Sequence, residues 1–308
     1  MRVLLLGGNG QLGRSFVGEG SLAARGELIV ASRDGMLIDG GHGEICDLST
    51  PEKLAALLDR VQPEVIVNAA AYTAVDRAEQ EQELANRVNG YAVGELGRWA
   101  SNHSAKVVHY STDYVFDGLQ SHPYKVDAHT APLGAYGRSK LMGEQPLRDS
   151  GADHLILRTA WVYAAHGQNF LRTMLRLGSE RDELRVVADQ HGAPTDTALI
   201  VNASLAALDR WLSDNDRMTD GTYHLVASGE TTWHGFAEAI FEMAMSLGVL
   251  TRRPKVMPIP SSEFPTPAAR PAWSLLDNRS FQKHFDFTLP DWQQGLHDVM
   301  SKLAATIH

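Results

Sequence analysis

Tyr136 and Lys140 stand four residues apart in the segment YGRSK. On a helix, residues at this spacing lie on one face, one turn apart. A cationic neighbour can lower the pKa of a tyrosine from its usual value of about 10 towards neutrality. Tyr136 is therefore a candidate general acid that donates a proton to a carbonyl oxygen. Because the same spacing arises often by chance, this hypothesis needs support from other residues.

A second group of polar residues, Ser111-Thr112-Asp113, follows a predicted strand that ends at Tyr110. Hydroxyl groups at the carboxyl end of a parallel strand can point into the ligand crevice of an α/β sheet. A turn or a helix cap would favour the same residue types. Thr112 precedes Tyr136 by 24 residues, which is enough for a loop to bring both side chains to one carbonyl group.

The segment GGNGQLG carries glycines at positions 7, 10 and 13, between a predicted first strand and a predicted helix from about Arg14. Glycines in this position allow a tight turn, a close approach of the backbone to a pyrophosphate, and close packing of helix on strand. The helix N-terminus then offers N–H groups to the phosphates. The loop predicts a dinucleotide site, and a plain strand–helix turn is the alternative.

The residues after the second predicted strand bear on which nicotinamide cofactor is used. An acid at this point accepts hydrogen bonds from the ribose 2′-OH and repels a 2′-phosphate. Here the strand is followed by Ser32 and Arg33, and only then by Asp34. A guanidinium group matches phosphate geometry, so we expect NADPH to be preferred. Two alternatives stay open: Asp34 turns inward and allows NADH, or Arg33 is a solvated loop residue.

The elements that must hold these residues are visible as short apolar runs that alternate with helical segments. The predicted strands cover residues 3–6, 28–31, 65–67, 107–110 and 155–157. Runs that are apolar at nearly every position are typical of strands buried on both faces of a parallel sheet. Strand–helix alternation produces right-handed βαβ units. The sequence predicts an α/β fold with a Rossmann-like, doubly wound parallel sheet.

The second half of the chain is less regular. Six prolines lie between Pro254 and Pro271, a density that excludes helix interiors. We expect a smaller C-terminal substrate-binding domain over the carboxyl edge of the sheet, with domains at 1–165 and 166–308. Strands from about 186–228 are expected to return to the main sheet, namely 186–187 and 223–225. Residues 79–99 are expected to form one long helix.

Composition narrows the function classes. The chain has 308 residues and a formal net charge of −9, which gives no general attraction for nucleic acid or an anionic membrane. Its single cysteine, Cys46, excludes an internal disulfide and a zinc site built on several cysteines. We predict no metal site. The apolar run at the N-terminus stops at Gly7, and no run approaches about 20 residues, so we expect a cytoplasmic protein.

Taken together and in this order, the motifs resemble those of the extended short-chain dehydrogenase/reductases. That family has a GxxGxxG loop, a strand that ends in NAA (here from Asn68), an upstream Ser or Thr, and YxxxK. More specific segments resemble the dTDP-4-dehydrorhamnose reductase family, and they occupy residues 68–76 (NAAAYTAVD), 110–116 (YSTDYVF), 158–163 (RTAWVY), 188–195 (ADQHGAPT), 223–229 (YHLVASG), 265–271 (PTPAARP) and 289–293 (LPDWQ). The resemblance covers almost the whole chain.

This resemblance implies reduction of the C4 keto group of dTDP-4-dehydro-L-rhamnose to dTDP-L-rhamnose, the last step of dTDP-rhamnose biosynthesis, with NADPH or NADH as the hydride source. It implies that Tyr136 donates the proton, that Lys140 holds the nicotinamide ribose and lowers the pKa of the tyrosine, and that Thr112 polarises the carbonyl. The residues implied to touch the sugar are Thr112, Asp113 and Trp161.

The cofactor residues predicted from the motifs and implied by the resemblance are Gly7, Gly10, Gln11, Leu12, Ser32, Arg33, Asp47, Leu48, Ala71, Tyr72, Thr73, Tyr110, Tyr136 and Lys140. Bland alternatives exist for some side chains. Trp161 is a core tryptophan if it does not touch the sugar. Asp47 either borders the adenine or is an acid on a surface loop. Arg270 either meets a diphosphate or forms a surface ion pair.

Two other functions remain open. One is another sugar-nucleotide reductase or epimerase of the same superfamily. The other is a non-catalytic, cofactor-binding regulatory subunit like that of methionine adenosyltransferase. Some members of the reductase family form dimers through a metal ion held by glutamates, one of them in the first helix. Ser15 occupies that position here, so a metal bridge is in doubt, whereas a homodimer formed by another route is not.

Overall fold

The computed structural model describes residues 1–18, 22–213 and 220–306. The strands in the described residues are β1 (Arg2–Leu6), β2 (Glu27–Ser32), β3 (Glu44–Ile45), β4 (Val65–Asn68), β5 (Lys106–Thr112), β6 (His154–Thr159), β7 (Val162–Tyr163), β8 (Glu183–Val187), β9 (His191–Gly192), β10 (Thr195–Asp196), β11 (Gly221–His224), β12 (Thr231–Thr232) and β13 (Lys255–Ile259).

The helices between them are α1 (Gln11–Gly18), α2 (Leu54–Val61), α3 (Val75–Ala78), α4 (Gln82–Asn86), α5 (Ala92–His103), α6 (Ala135–Asp149), α7 (Phe170–Glu180), α8 (Thr197–Ser213), α9 (Trp233–Ser246), α10 (Arg279–Phe285) and α11 (Trp292–Ala305). Within the described ranges, no helix is both long enough and apolar enough to cross a membrane.

Seven strands form the central sheet in the order β11-β6-β5-β4-β1-β2-β3. Every neighbouring pair in it is parallel. The strand order reverses between β1 and β4, and ligands of open α/β sheets bind outside the carboxyl ends of the strands at such a point. The predicted Rossmann-like α/β fold is confirmed.

The strands are apolar at successive positions because both faces of the sheet are covered. On β1, Val3 and Leu5 join the core cluster on one face, and Leu4 and Leu6 join the cluster on the other. All four side chains are completely buried. Side chains alternate between the faces of a strand, so a sheet that lies between two helical layers requires apolar residues at every position.

The predicted long helix at 79–99 begins later than expected and contains a π turn. α4 begins at Gln82, the π turn follows at Arg87–Tyr91, and α5 continues from Ala92 without a break. The π turn contains Asn89, whose amide bonds both backbone groups of Tyr72. Single π turns inside helices are often found at functional sites.

Of the two segments expected to return to the main sheet, only one does so. Tyr223 lies in β11, which pairs with β6 and forms one edge of the sheet. Val186 and Val187 instead lie in β8, which pairs with β13 in a separate two-stranded sheet. The expectation for 186–187 was wrong, because an apolar parallel strand finds an equally buried partner in β13.

The proline-rich segment crosses back over the first half of the chain. Arg270 forms a two-pronged ion pair with Asp76 in α3, with Nη2 to Oδ2 at 2.9 Å and Nη1 to Oδ1 at 3.1 Å. The backbone N–H of Ala268 donates to the same carboxylate. We call residues 265–274 the strap, because this segment joins α3 to the elements around Trp161.

Candidate active site

Thr112 and Tyr136 meet at the carboxyl end of β5. Thr112 is the last residue of that strand, and Tyr136 lies in the first turn of α6. The Thr112 hydroxyl lies close enough to the Tyr136 phenol to influence its pKa. It also donates to Asp113 Oδ1 at 2.9 Å and accepts from the Tyr114 N–H. The structure therefore brings together the two hydroxyl groups predicted to act on one carbonyl oxygen.

Lys140 lies one turn beyond Tyr136 and is almost completely buried. Its Nζ donates to the backbone carbonyl of Tyr110 at 2.6 Å and lies 3.4 Å from Nε2 of His109. Burial lowers the pKa of Lys140 to about 8, although the charge of Glu144 opposes that shift. The ammonium is thus held at the base of the site, next to β5.

The pKa of Tyr136 moves in the direction opposite to the one predicted. Burial raises it to about 12, Thr112 opposes that shift, and the charge of Asp113 raises it further. The expected lowering by Lys140 is not among the effects that act on Tyr136, and the removal of the phenolate from water dominates. At neutral pH the phenol keeps its proton, which is the form that a proton donor needs.

Asp113 and Trp161 face each other across Ser274 of the strap. The Ser274 hydroxyl lies beside Asp113, donates to the His191 carbonyl at 3.0 Å and accepts from the Trp161 indole N–H at 3.1 Å. Burial raises the pKa of Asp113 to about 7. Within the described chain, Asp113 Oδ2 is buried with no hydrogen-bond partner, so it can accept a hydrogen bond from a bound hydroxyl group.

Trp161 is held in an unusual conformation. Its φ is 49°, in the left-handed region that non-glycine residues seldom adopt. Its ring stacks on Trp233 at a centroid distance of 3.6 Å and an interplanar angle of 6°. The side chain is only partly buried. Strained backbone of this kind is often found at ligand sites, and the stacked pair presents a flat apolar surface beside Asp113.

The glycine loop is built as its sequence predicts. Gly7 has φ 81°, and a Cβ added there would lie 2.7 Å from the backbone of Ala70. A Cβ at Gly13 would lie 2.1 Å from the carbonyl oxygen of Gly7. The Gly10 N–H donates to that same oxygen, and α1 begins at the next residue. Any side chain at Gly7 or Gly13 would clash with neighbouring backbone, so only glycine allows this tight turn from β1 into α1.

Gln11 and Leu12 follow the loop directly. The Gln11 amide donates to the Val162 carbonyl at 3.2 Å and accepts from Asn169 at 2.9 Å. This places the side chain between the glycine loop and the start of α7. Leu12 is partly buried and packs against the larger core cluster.

The loop after β2 leaves Arg33 available to a ligand. Ser32 is buried, and its hydroxyl donates to the Met36 carbonyl at 2.9 Å. Asp34 accepts from the Met36 N–H, so its carboxylate closes a local turn. Arg33 is exposed, and among the residues that the structure describes it forms no hydrogen bond or ion pair. The sequence did not reveal Asn9, whose amide joins the glycine loop to Met36 and Ile38.

The remaining predicted cofactor residues differ in how accessible they are to a ligand. Asp47 and Ala71 are partly buried and Thr73 is exposed. Leu48, by contrast, is buried in the core. The Tyr72 phenol donates to Glu81.

Tyr110 does not contribute its side chain to the crevice. Its phenol donates to Ser204 at 2.7 Å within the core, and only its carbonyl oxygen reaches Lys140. Only the backbone of Tyr110, and not its side chain, is therefore available to line the cofactor site as predicted.

A protein-family model described as the RmlD substrate binding domain matches residues 1–305. The chain belongs to this family. The dTDP-4-dehydrorhamnose reductase of Burkholderia thailandensis is 44% identical over 302 residues, with 96% of this chain and 97% of that protein covered. The enzyme of the same name from Salmonella typhimurium is 42% identical, with 99% of each chain covered. The family predicted from the motifs is confirmed.

A solved structure supports the same assignment. The dTDP-4-dehydrorhamnose reductase of Bacillus anthracis, in complex with NADP, has a TM-score of 0.84 and 31% identity, with 98% of this chain and 99% of that chain covered. Its likeness extends through both the sheet and the second half of the chain.

The metal-bridged dimer known in part of this family does not fit the residues present. Ser15 is buried, and its hydroxyl donates to Thr197 at 2.7 Å. A hydroxyl engaged inside the protein replaces the carboxylate that such a bridge requires. Among the described residues, no group of three or more His, Cys, Asp or Glu side chains is arranged to hold a metal ion.

One residue that the motif analysis missed, Glu144, supports the site from below. Glu144 is completely buried and accepts from Ser111, Arg148 and Arg158. Its position four residues after Lys140, on the buried face of α6, is the one signal in the sequence that could have identified it.

Proposed function

We propose that this protein reduces the C4 keto group of dTDP-4-dehydro-L-rhamnose to dTDP-L-rhamnose, with NADPH as the preferred hydride source and NADH as a second one. The observation that carries the proposal is that the Thr112 and Tyr136 hydroxyl groups lie together, one helical turn from Lys140, at the carboxyl edge of the sheet and in a chain that belongs to the reductase family. It supports a site that transfers a proton to a carbonyl oxygen.

The residues present fit a dinucleotide. The tight glycine loop holds the N-terminus of α1 at the end of β1, where its N–H groups can meet phosphates, and Arg33 is exposed at the end of β2. Gly10, Gln11 and Leu12 would hold the pyrophosphate, Ser32 and Arg33 the 2′-phosphate, and Lys140 the nicotinamide ribose. When bound, the reduced nicotinamide supplies the hydride.

The chain's own residues handle the charge that develops on the sugar oxygen O4. Thr112 donates a hydrogen bond to O4 and Tyr136 delivers its phenolic proton there, so the alkoxide is stabilised and then neutralised. Asp113 accepts from a sugar hydroxyl through its free Oδ2, and Trp161 supports the sugar ring. The proposed domains place the cofactor on 1–165 and the sugar nucleotide mainly on 166–308, with Thr112, Asp113 and Trp161 reaching the sugar from the first of them.

The test is a spectrophotometric assay that follows oxidation of NADPH with enzymatically generated dTDP-4-dehydrorhamnose. We expect turnover with this substrate, and turnover slower by about 10²-fold or more when Tyr136 is replaced by Phe. Oxidation only with other keto-sugar nucleotides would support a different sugar-nucleotide reductase. A folded protein that binds NADPH without ever oxidising it would support the regulatory-subunit alternative.

We keep two further expectations as proposals. One is a cytoplasmic location, where reduced nicotinamide cofactors are maintained. The other is a homodimer formed without a metal bridge, since Ser15 is engaged with Thr197. The molar mass measured by light scattering, with and without a chelator, tests the second proposal.

A further inference from the structure

A row of buried polar side chains lies behind the ammonium of Lys140. Asn68 on β4, His109 on β5 and Lys140 on α6 are 1%, 0% and 2% exposed. Nδ2 of Asn68 lies 3.1 Å from Nδ1 of His109, and Nε2 of His109 lies 3.4 Å from Nζ of Lys140. Both ring nitrogens of one histidine therefore face a nitrogen atom of a neighbour.

The orientation of the Asn68 amide decides which ring nitrogen carries the proton. Oδ1 of Asn68 accepts from the Ala70 N–H at 3.2 Å. Turning the amide over would point its NH₂ group at that N–H, leaving two donors face to face. With Oδ1 fixed in this way, the NH₂ group donates to Nδ1 of His109. A neutral imidazole has one donor and one acceptor nitrogen, so its proton must be on Nε2, the nitrogen that faces Lys140.

We propose that Asn68 fixes His109 as the Nε2–H tautomer, and that His109 is a positioning residue that destabilises the ammonium form of Lys140. An ammonium group has no lone pair to accept the Nε2–H proton, whereas a neutral amine does. Lys140 in turn keeps one N–H on the Tyr110 carbonyl. The inference rests on the proposed function, in which Lys140 holds the cofactor ribose beside Tyr136.

The charges around this row agree with the proposal. Burial holds the pKa of His109 well below its ordinary value, and the charges of Lys140 and His154 act in the same direction, so the ring is neutral. Glu144 is the acid that faces Lys140, from one turn further along α6. Its charge is shared by Arg158, Arg148 and the Ser111 hydroxyl. Burial lowers the pKa of Lys140 and Glu144 raises it, and the Nε2–H of His109, 3.4 Å from Nζ, acts beside these two effects.

The first experiment measures the tautomer directly in the protein without substrate. Uniform ¹⁵N labelling and long-range ¹H–¹⁵N correlation report the protonation of each ring nitrogen, and loss of one of the thirteen histidine patterns in His109→Gln assigns the signal. We expect the Nε2–H pattern at neutral pH. An Nδ1–H pattern, or a doubly protonated ring, overturns the proposal. This measurement does not depend on whether the protein is a reductase.

The second experiment changes the tautomer without altering His109. Asn68→Asp has nearly the same shape, and one carboxylate oxygen can still accept from Ala70 while the other accepts a proton from Nδ1. Nε2 then becomes an acceptor for the Lys140 ammonium. We expect the Nδ1–H pattern, and an upward shift by about one pH unit or more in the basic limb of the kcat profile.

His109→Gln and His109→Phe separate positioning from mere packing. Neither retains an imidazole N–H, so the basic limb should move upward in both if they fold, whereas a structural role would lower kcat equally at every pH. An unchanged basic limb in folded Asn68→Asp and His109→Gln would falsify the role assigned to His109. If no variant and no wild-type protein turns over the sugar, the proposed function fails, while the tautomer measurement still decides the state of His109.

Discussion

At the scale of single residues, burial rather than pairing controls the proton of Tyr136. The phenolate form would have to leave water, and this raises the pKa to about 12. A phenol with such a pKa is a weak acid towards water but a sufficient one towards an alkoxide that forms beside it. The site is therefore suited to donate a proton at the moment of hydride transfer, and not before.

Tyr136→Phe tests this role, because it removes one hydroxyl group and keeps the ring. We expect kcat to fall by about 10²-fold or more, the usual effect of losing an acid–base group, with cofactor binding nearly intact. Tyr91→Phe is the matched control, since Tyr91 is exposed on the π turn. A Tyr136→Phe enzyme with nearly normal kcat at pH 7 would remove Tyr136 from the chemistry.

Arg33 tests the cofactor preference. Its guanidinium is exposed after β2 and can bind a 2′-phosphate in a bidentate way. Arg33→Ala should weaken NADPH binding by roughly tenfold to a hundredfold, leave NADH nearly unaffected, and be measurable by fluorescence titration. Arg176→Ala, on an exposed turn of α7, is the control. Equal losses for both cofactors would show that Arg33 does not contact the 2′-phosphate.

Residue types and spacing predicted which polar side chains form the site. They did not predict the pKa values of these groups or the side of the strand to which each side chain points. Thr112, Tyr136 and Lys140 were predicted because each follows a strand or shares a helix face. The raised pKa of Tyr136 depends on how deeply the phenol is enclosed, which no local pattern reports. Likewise, the side chain of Tyr110 lies on the core face of β5, and its phenol donates a hydrogen bond to Ser204, a residue 94 positions away.

At the scale of elements, β5, β6 and α6 are joined by one buried carboxylate. Burial alone raises the pKa of Glu144, but the hydrogen bonds and charge of Arg158, with Ser111 and Arg148, outweigh it and hold the pKa below its ordinary value. This contribution to stability is therefore present above the unfolded-state value and is lost as the pH falls. The strand that ends in Thr112 is thereby fixed relative to the helix that carries Tyr136.

Glu144→Gln should consequently be strongly destabilising. The amide cannot balance the buried guanidinium of Arg158, so we expect the free energy of unfolding to fall by about 3–5 kcal/mol in urea denaturation. Glu95→Gln breaks a partly exposed pair with Arg98 and should cost about 1 kcal/mol or less. Similar losses in the two variants would contradict a supporting role for the buried carboxylate.

The elements themselves were largely predictable, because buried parallel strands have long apolar runs. The π turn between α4 and α5 could not be predicted, because Asn89 and Gly90 are also compatible with an ordinary helix. The turn is fixed by the contacts of Asn89 with Tyr72 and Ser139, which are distant in sequence. The partner of β8 was also missed. An apolar strand shows that it is buried, but it does not show against which other strand.

At the scale of the whole molecule, the strap connects the two halves through Arg270 and Asp76. The hydrogen bond and charge of Arg270 lower the pKa of Asp76, against a raising by burial. The ion pair therefore stabilises the protein above the ordinary aspartate value and weakens as the pH falls. The sequence left the partner of Arg270 open between a diphosphate and a surface acid, and the structure gives the acid.

A double-mutant cycle of Asp76→Asn and Arg270→Gln measures this connection. We expect a coupling of about 1 kcal/mol in the free energy of unfolding, because the pair is two-pronged but partly exposed. KM for the sugar nucleotide should change equally in both single variants if the strap is simply displaced. A much larger increase for Arg270→Gln alone would indicate that Arg270 leaves Asp76 to bind the substrate.

The place of β11 at the edge of the sheet also has a consequence for biosynthesis. β6 is complete at Thr159, but its outer partner begins only at Gly221, about 60 residues later. At about 5–20 residues per second, the ribosome needs roughly 3–12 s to supply that partner. During this interval the backbone N–H and C=O groups on the outer side of β6 have no strand partner and can pair with other nascent chains. We therefore expect chaperones to associate with translating ribosomes most strongly in this window.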